Sequence, residues 1–151
     1  MSPLEQQETG AGEHDEPAAG RMLNGRCRCG AVRYVVDDAF EYAMNCHCSA
    51  CRASTGAAYK PIAGIVREKL LVTQGAERLV SFGEQLKNDQ RCDECGSYLF
   101  SVVREGRYVH VWMGTLIDEP TLRPTHHIFV GSKARWHQIT DDLPQYLEYR
   151  T

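Results

Sequence analysis

Residues 97–114 read SYLFSVVREGRYVHVWMG. Two runs rich in β-branched and aromatic side chains, Tyr98–Val103 and Tyr108–Trp112, are separated by Arg-Glu-Gly-Arg. In the second run Val109 and Val111 alternate with Tyr108, His110 and Trp112, the period of a strand with one buried face. Outward from it the same texture recurs at a spacing of about ten residues. The runs are CGAVRYVV from Cys29, EYAMNC from Glu41, LLVTQG from Leu70, RLVSFG from Arg78 and HHIFVG from His126. No stretch carries a long apolar period of 3.6. The pattern predicts a mainly β chain of several antiparallel strands in two packed layers. Asp141–Tyr149 (DDLPQYLEY) reads as one short C-terminal helix or turn.

The chain has 151 residues, 42% apolar and 25% charged, which suits one globular domain. Net charge is −3, and residues 1–20 hold five acids and no Lys or Arg. The other 131 residues sit at +2, where 17 basic residues face 15 acids. Residues 1–20 have almost no large apolar side chains and read as a flexible acidic tail, leaving 21–151 as the domain. A body at +2 without a Lys/Arg run argues against a nucleic-acid partner. No apolar run is long enough for a membrane span, and no secretory signal is visible. The expected location is therefore cytoplasmic and reducing, where clustered thiols read as metal ligands before disulfides.

Seven cysteines fall into three clusters: C-R-C at Cys27 and Cys29, C-H-C-S-A-C at Cys46, Cys48 and Cys51, and C-D-E-C-G at Cys92, Cys95 and Gly96. A structural zinc takes four ligands in a closed tetrahedron. The C-x-x-C knuckle supplies two, and Gly96 lets the chain turn so that backbone N–H groups can face the sulfurs. A C-x-C pair on an extended strand, with residues i and i+2 on one face, supplies two more. Cys27, Cys29, Cys92 and Cys95 would then form one closed site clipping distant segments together. Cys46, Cys48 and Cys51 remain, with Cys46 and Cys48 on one strand face and His47 on the other. Three ligands leave an open position, and open sites do chemistry. The pairing is not forced: Cys46–Cys51 could join another cluster. Two purely structural sites, with His47 or His127 completing the second, compete with this reading, as do disulfides and unligated thiols.

The patterns GRCRCGAVRY (Gly25–Tyr34), CHCSACRASTG (Cys46–Gly56) and RCDECGS (Arg91–Ser97) resemble the glutathione-dependent formaldehyde-activating enzyme family, also called the centromere-protein-V/Gfa family. GTLIDEP (Gly114–Pro120), PTHHIFV (Pro124–Val130) and Trp136 match it too, so the resemblance spans about residues 22–146. It implies a β-tent fold with two zinc ions. It implies a structural site at Cys27, Cys29, Cys92 and Cys95 and a catalytic one at Cys46, Cys48 and Cys51. It also implies a carbon–sulfur lyase that condenses formaldehyde with glutathione to S-hydroxymethylglutathione. The partners so implied are a small thiol and a small carbonyl compound.

Three thiolates leave zinc with a formal charge of −1, poor at making hydroxide but suited to exchanging water for a substrate thiolate. Arg52, Ser54, Thr55, His127 and Asp118 are candidates to surround that centre. Arg52 could balance its charge or meet a substrate carboxylate, the competing role being a solvated surface charge. His127 could donate to the substrate oxygen, although a strand histidine satisfied by a carbonyl is the plainer expectation; His126 faces the other way. Asp118 reads better as a turn residue. Trp112 and Trp136 are expected in the core or on a pocket wall. The alternative function is a zinc-stabilised interaction module without catalysis.

Overall fold

The protein is described by a computed structural model covering residues 20–151. The expected acidic tail therefore lies outside the described residues, apart from Gly20. In chain order the elements are β1 (Met22–Arg26), β2 (Arg33–Asp37), β3 (Tyr42–Cys46), α1 (Ser49–Thr55), β4 (Lys60–Val66), β5 (Leu70–Gln74), β6 (Leu79–Glu84), β7 (Lys87–Cys92), β8 (Tyr98–Val103), β9 (Tyr108–Trp112) and β10 (His127–Ile128).

Alternation along β9 sets the layering. Val109 and Val111 are fully buried, and register places them beside Val102 and Phe100 of β8 and beside Ile65 and Ala63 of β4. These residues form the inner face of a seven-stranded sheet ordered β10-β3-β4-β9-β8-β7-β6. Leu23, Tyr34 and Val36 of the three-stranded sheet β1-β2-β5 belong to the same core. Each fully buried valine contributes roughly 1.5 kcal/mol or more by leaving water. The chain crosses between layers at residues 38–41, where Asp38 accepts from the Thr121 backbone N–H and hydroxyl and pairs with Arg21. Gly25 allows the Tyr34 ring to lie flat over β1, since a Cβ there would stand 2.0 Å from the ring.

The outer face of the large sheet carries the other half of each alternation. Register aligns Cys46 of β3 with Lys60 of β4, Ile62 with Trp112 of β9, and His110 with Ser101 of β8. Helix α1 contacts β4 at this end.

The mainly β, two-layer expectation holds, with packed antiparallel sheets. Two local readings change. HHIFVG yields only the two-residue β10, paired parallel to β3, because Phe129 turns into the left-handed region at φ +54. The C-terminal segment forms no helix. It runs extended against β10, with His127 N–H donating to the Pro144 carbonyl and Tyr146 N–H to the His127 carbonyl. Trp136 is not in the core: it is 75% exposed. It follows a 3₁₀ turn at Val130–Ser132 and lines an open surface pocket beside His137 and Ile139, the pocket-wall position that is the other expectation for it. Trp112 is buried, as expected.

Candidate functional site

The cysteines come together as two groups. The sulfurs of Cys27, Cys29, Cys92 and Cys95 lie within 4.8 Å of one another, and so do those of Cys46, Cys48 and Cys51. No two are joined by a disulfide. A tetrahedron with metal–sulfur bonds of about 2.3 Å has sulfur–sulfur edges of about 3.8 Å. Cys27–Cys29 at 3.5 Å and Cys29–Cys92 at 3.8 Å already stand near that spacing. The donor set therefore fits a thiophilic, tetrahedral ion such as zinc.

The four-cysteine group is built from two tight turns: the expected C-x-x-C knuckle at Cys92 and Cys95, and a turn at Cys27 and Cys29 in place of the expected strand pair. β1 ends at Arg26, and Cys27–Cys29 lie in the turn that follows, where the Gly30 N–H donates to the Cys27 carbonyl. Val32 N–H donates to the Cys27 sulfur at 3.3 Å. On the other side Gly96, at φ +78, closes a turn with its N–H on the Cys92 carbonyl. Ser97 bonds both turns, its hydroxyl accepting from Arg28 N–H and lying 3.2 Å from the Cys95 sulfur.

In the three-cysteine group, Cys46 ends β3 and Cys48 is the N-cap of α1. The Cys48 sulfur accepts from the Cys51 N–H at 3.3 Å, taking the place of a capping oxygen. The backbone is still extended at Cys48, φ −65 and ψ 155, so Cys46 and Cys48 keep one face as expected, although the hydrogen-bonded strand is shorter. The strand stops at Cys46, and a strand end and a helix start bring the sulfurs together. A hydrogen bond from Cys51 holds the Cys46 thiol below its usual range despite burial. The same bond, then burial, pushes Cys51 up, with the Lys60 charge pulling the other way. Sulfurs this close repel one another as thiolates, and a cation between them relieves that.

His47 points away from the three sulfurs, as alternation expects, and is fully buried. Its Nε2 lies 2.8 Å from His127 Nδ1, and His127 Nε2 is 3.0 Å from both Asp141 oxygens. The bond from His127 holds Asp141 low, as a carboxylate. His127 thus bridges Asp141 and His47, one ring nitrogen to each. Burial, followed by the charges of His127, His137 and Lys133, pushes His47 down to about 4. His127 is accordingly satisfied by a carboxylate and a second imidazole, not by a carbonyl. It anchors the Cys46–Cys48 segment from behind.

The other candidates divide. Ser54 and Thr55 donate their hydroxyls to the Cys51 carbonyl and so brace α1. Arg52 is half-buried, and its Nε has no partner among the described residues. Asp118 accepts from the Asn24 backbone and side chain on an exposed flank, a loop role. His126 lies beside Thr125 and meets the Tyr146 ring edge-on.

Asp141 escaped the sequence reading, and so did four residues of one cleft. An open cleft of about 420 Å³ adjoins Cys51 and Ser54 along the outer sheet face, lined there by Lys60, Ser101, His110 and Asp89. Lys60 is 8% exposed, its Nζ 4.3 Å from the Trp112 ring centroid. Trp112 stacks on Tyr98 and donates Nε1–H to Ser101, which donates to Asp89. The one available signal was a lysine at the head of the otherwise apolar KPIAGIV.

Residues 22–132 match the family model described as glutathione-dependent formaldehyde-activating enzyme. A protein of Halomonas elongata that provisionally bears the same name is 32% identical over 132 residues, 78% of this chain and 81% of the relative. A crystal structure of a Rhodobacter sphaeroides protein aligns with a TM-score of 0.53 at 30% identity. The alignment covers 64% of this chain and 89% of that one.

Proposed function

Because the chain belongs to the glutathione-dependent formaldehyde-activating enzyme family, we propose that it is a carbon–sulfur lyase. It adds glutathione or a similar small thiol to formaldehyde or a related small carbonyl compound, and runs the reverse cleavage. The observation that carries this reading is the division of seven cysteines into a closed group of four and a group of three. No fourth His, Cys, Asp or Glu donor accompanies that three among the described residues.

Cys27, Cys29, Cys92 and Cys95 would hold a structural zinc, and Cys46, Cys48 and Cys51 a catalytic one. At the second site zinc would supply a cation that favours the ionised form of a substrate thiol. The chain's own part is positioning. The Cys48 cap and the His47–His127–Asp141 anchor fix the three sulfurs. The cleft beside Cys51 admits a small substrate and holds it close to them. The thiolate sulfur attacks the carbonyl carbon, the carbonyl electron pair moves to oxygen, and a proton from solvent completes the hemithioacetal. Seven free thiols suit a reducing, cytoplasmic location. No helix among the described residues is long and apolar enough to cross a membrane.

The test is formaldehyde consumption in the presence of glutathione, by wild type and by Cys48→Ser. Wild type should exceed the spontaneous addition, and the variant should lose that excess while keeping one metal equivalent. A wild-type rate equal to the spontaneous one with every low-molecular-weight thiol tried would overturn the assignment.

A further inference from the structure

Lys60 is the least expected charge in the fold. It heads the interior strand β4, directly across from Cys46, and shares the outer sheet face with it. Partners directly opposite on antiparallel strands have Cβ atoms about 5 Å apart. Lys60 is 8% exposed, and taking a cation that far from water is costly unless a negative charge answers it. Among the described residues no carboxylate does. The ion pairs there belong to Arg21, Arg78 and His127. Of the two acids lining the same cleft, Asp89 receives the Ser101 hydroxyl and Glu84 is in none of these ion pairs. The Trp112 ring holds the ammonium in place by a cation–π contact without neutralising it. The ring itself is fixed by its stack on Tyr98 and its bond to Ser101. The result is a rigidly held positive charge, paired with no carboxylate, on the wall of the cleft that adjoins Cys51, whose sulfur is the anionic group its field reaches.

We propose that Lys60 forms an oxyanion site beside the open position of the three-cysteine group and there receives the carbonyl oxygen as the reaction makes it an alkoxide. This rests on the lyase reading for the identity of the oxygen, though not for the existence of the anion site. In the forward step the sulfur–carbon bond forms and the carbon–oxygen π bond breaks. The electron pair settles on oxygen, the Lys60 ammonium donates a hydrogen bond to it and stays charged, and solvent delivers the proton. Such a donor is preorganised for charge that appears only as the transition state is reached, so it acts on turnover more than on substrate binding. Lys60 is then a catalytic residue that acts on the charge developing at the carbonyl oxygen.

Thioglycolate carries an oxyanion close to its sulfur, and 2-mercaptoethanol is its neutral counterpart. Both should be titrated into protein loaded with Co2+, following the sulfur-to-cobalt band that appears as the open position fills. Wild type should bind thioglycolate about tenfold more tightly than 2-mercaptoethanol, reflecting one charge-assisted hydrogen bond. Lys60→Met should lose that preference with metal content intact, and Lys60→Arg should keep most of it. In the turnover assay Lys60→Met should lower kcat on the order of a hundredfold with little change in thiol KM. The loss should be the same with glutathione as with 2-mercaptoethanol as the thiol. Should Lys60→Met not fold, Lys60→Gln is read against the same expectations. Equal weakening of both ligands would make Lys60 a general counter-charge and overturn the proposal. A loss confined to glutathione would assign it to a distant substrate carboxylate and overturn it likewise. A wild type that shows the thioglycolate preference yet consumes no formaldehyde would refute the lyase reading and leave the anion site standing.

Discussion

Replacing Cys95 by Ser should cost the fold far more than replacing Cys48 by Ser, and the loop lengths say by how much. The four-cysteine group joins Cys29 to Cys92, 63 positions apart. The three-cysteine group spans only the six residues Cys46–Cys51. Closure entropy grows as (3/2)RT ln n, so the longer clip restrains the unfolded chain by about 2 kcal/mol more. With unfolding entropy near 2 cal/mol/K per residue over about 130 residues, that difference separates the two melting midpoints by about 8 °C. Cys95→Ser also unties the β1–β2 turn from the β7–β8 turn, which sit at the ends of different sheets. The assay is differential scanning calorimetry of both variants, each with its metal content measured. Equal midpoints at one lost metal equivalent apiece would refute the reasoning, because neither site would then be a long-range clip.

Gly25→Ala should destabilise the protein by about 1–3 kcal/mol in urea, since its methyl group would meet the buried Tyr34 ring at 2.0 Å. His110 is pushed down to about 4 by burial, then by the charges of Lys60 and Arg104, while an unfolded histidine titrates near about 6.5. The unfolded chain therefore binds more protons between those values, and stability rises with pH across that window and is indifferent to this group above it. His110→Gln, which keeps an acceptor for Tyr42, should reduce the pH 5-to-7 gain in the urea midpoint. Asp141→Ala should free His127 and loosen the Cys46–Cys48 segment, weakening metal retention at the three-cysteine site about tenfold in competition with a chromophoric chelator.

The layers were legible because alternation is strong where one face is buried, as in Val109 and Val111 of β9. It failed where that contrast vanishes. β4 is buried along nearly its whole length and contains Pro61 and Gly64, so it shows neither alternation nor strand propensity. β7, KNDQRC, is polar throughout and is held by pairing with β6 and β8 on either side. Spacing grouped the cysteines but not their conformations, because tight turns and a helix cap can bring sulfurs together as well as a strand face can. The seven residues of α1 are too few to display a helical period. Asp141, Lys60 and Ser101 act through neighbours far away in the chain, and no local pattern announces such partners. His47 was placed correctly on the far side of Cys46 because one step along an extended chain reverses direction.

Zinc X-ray absorption on the doubly loaded protein reads whether one cysteine group is closed and the other open. Four sulfurs at one ion and three at the other average to about 3.5 per zinc, with an oxygen scatterer making up the four-coordinate shell. Adding glutathione should raise the average to about four sulfurs and remove the oxygen. An average already at four before thiol is added, or one that glutathione leaves unchanged, would contradict the account.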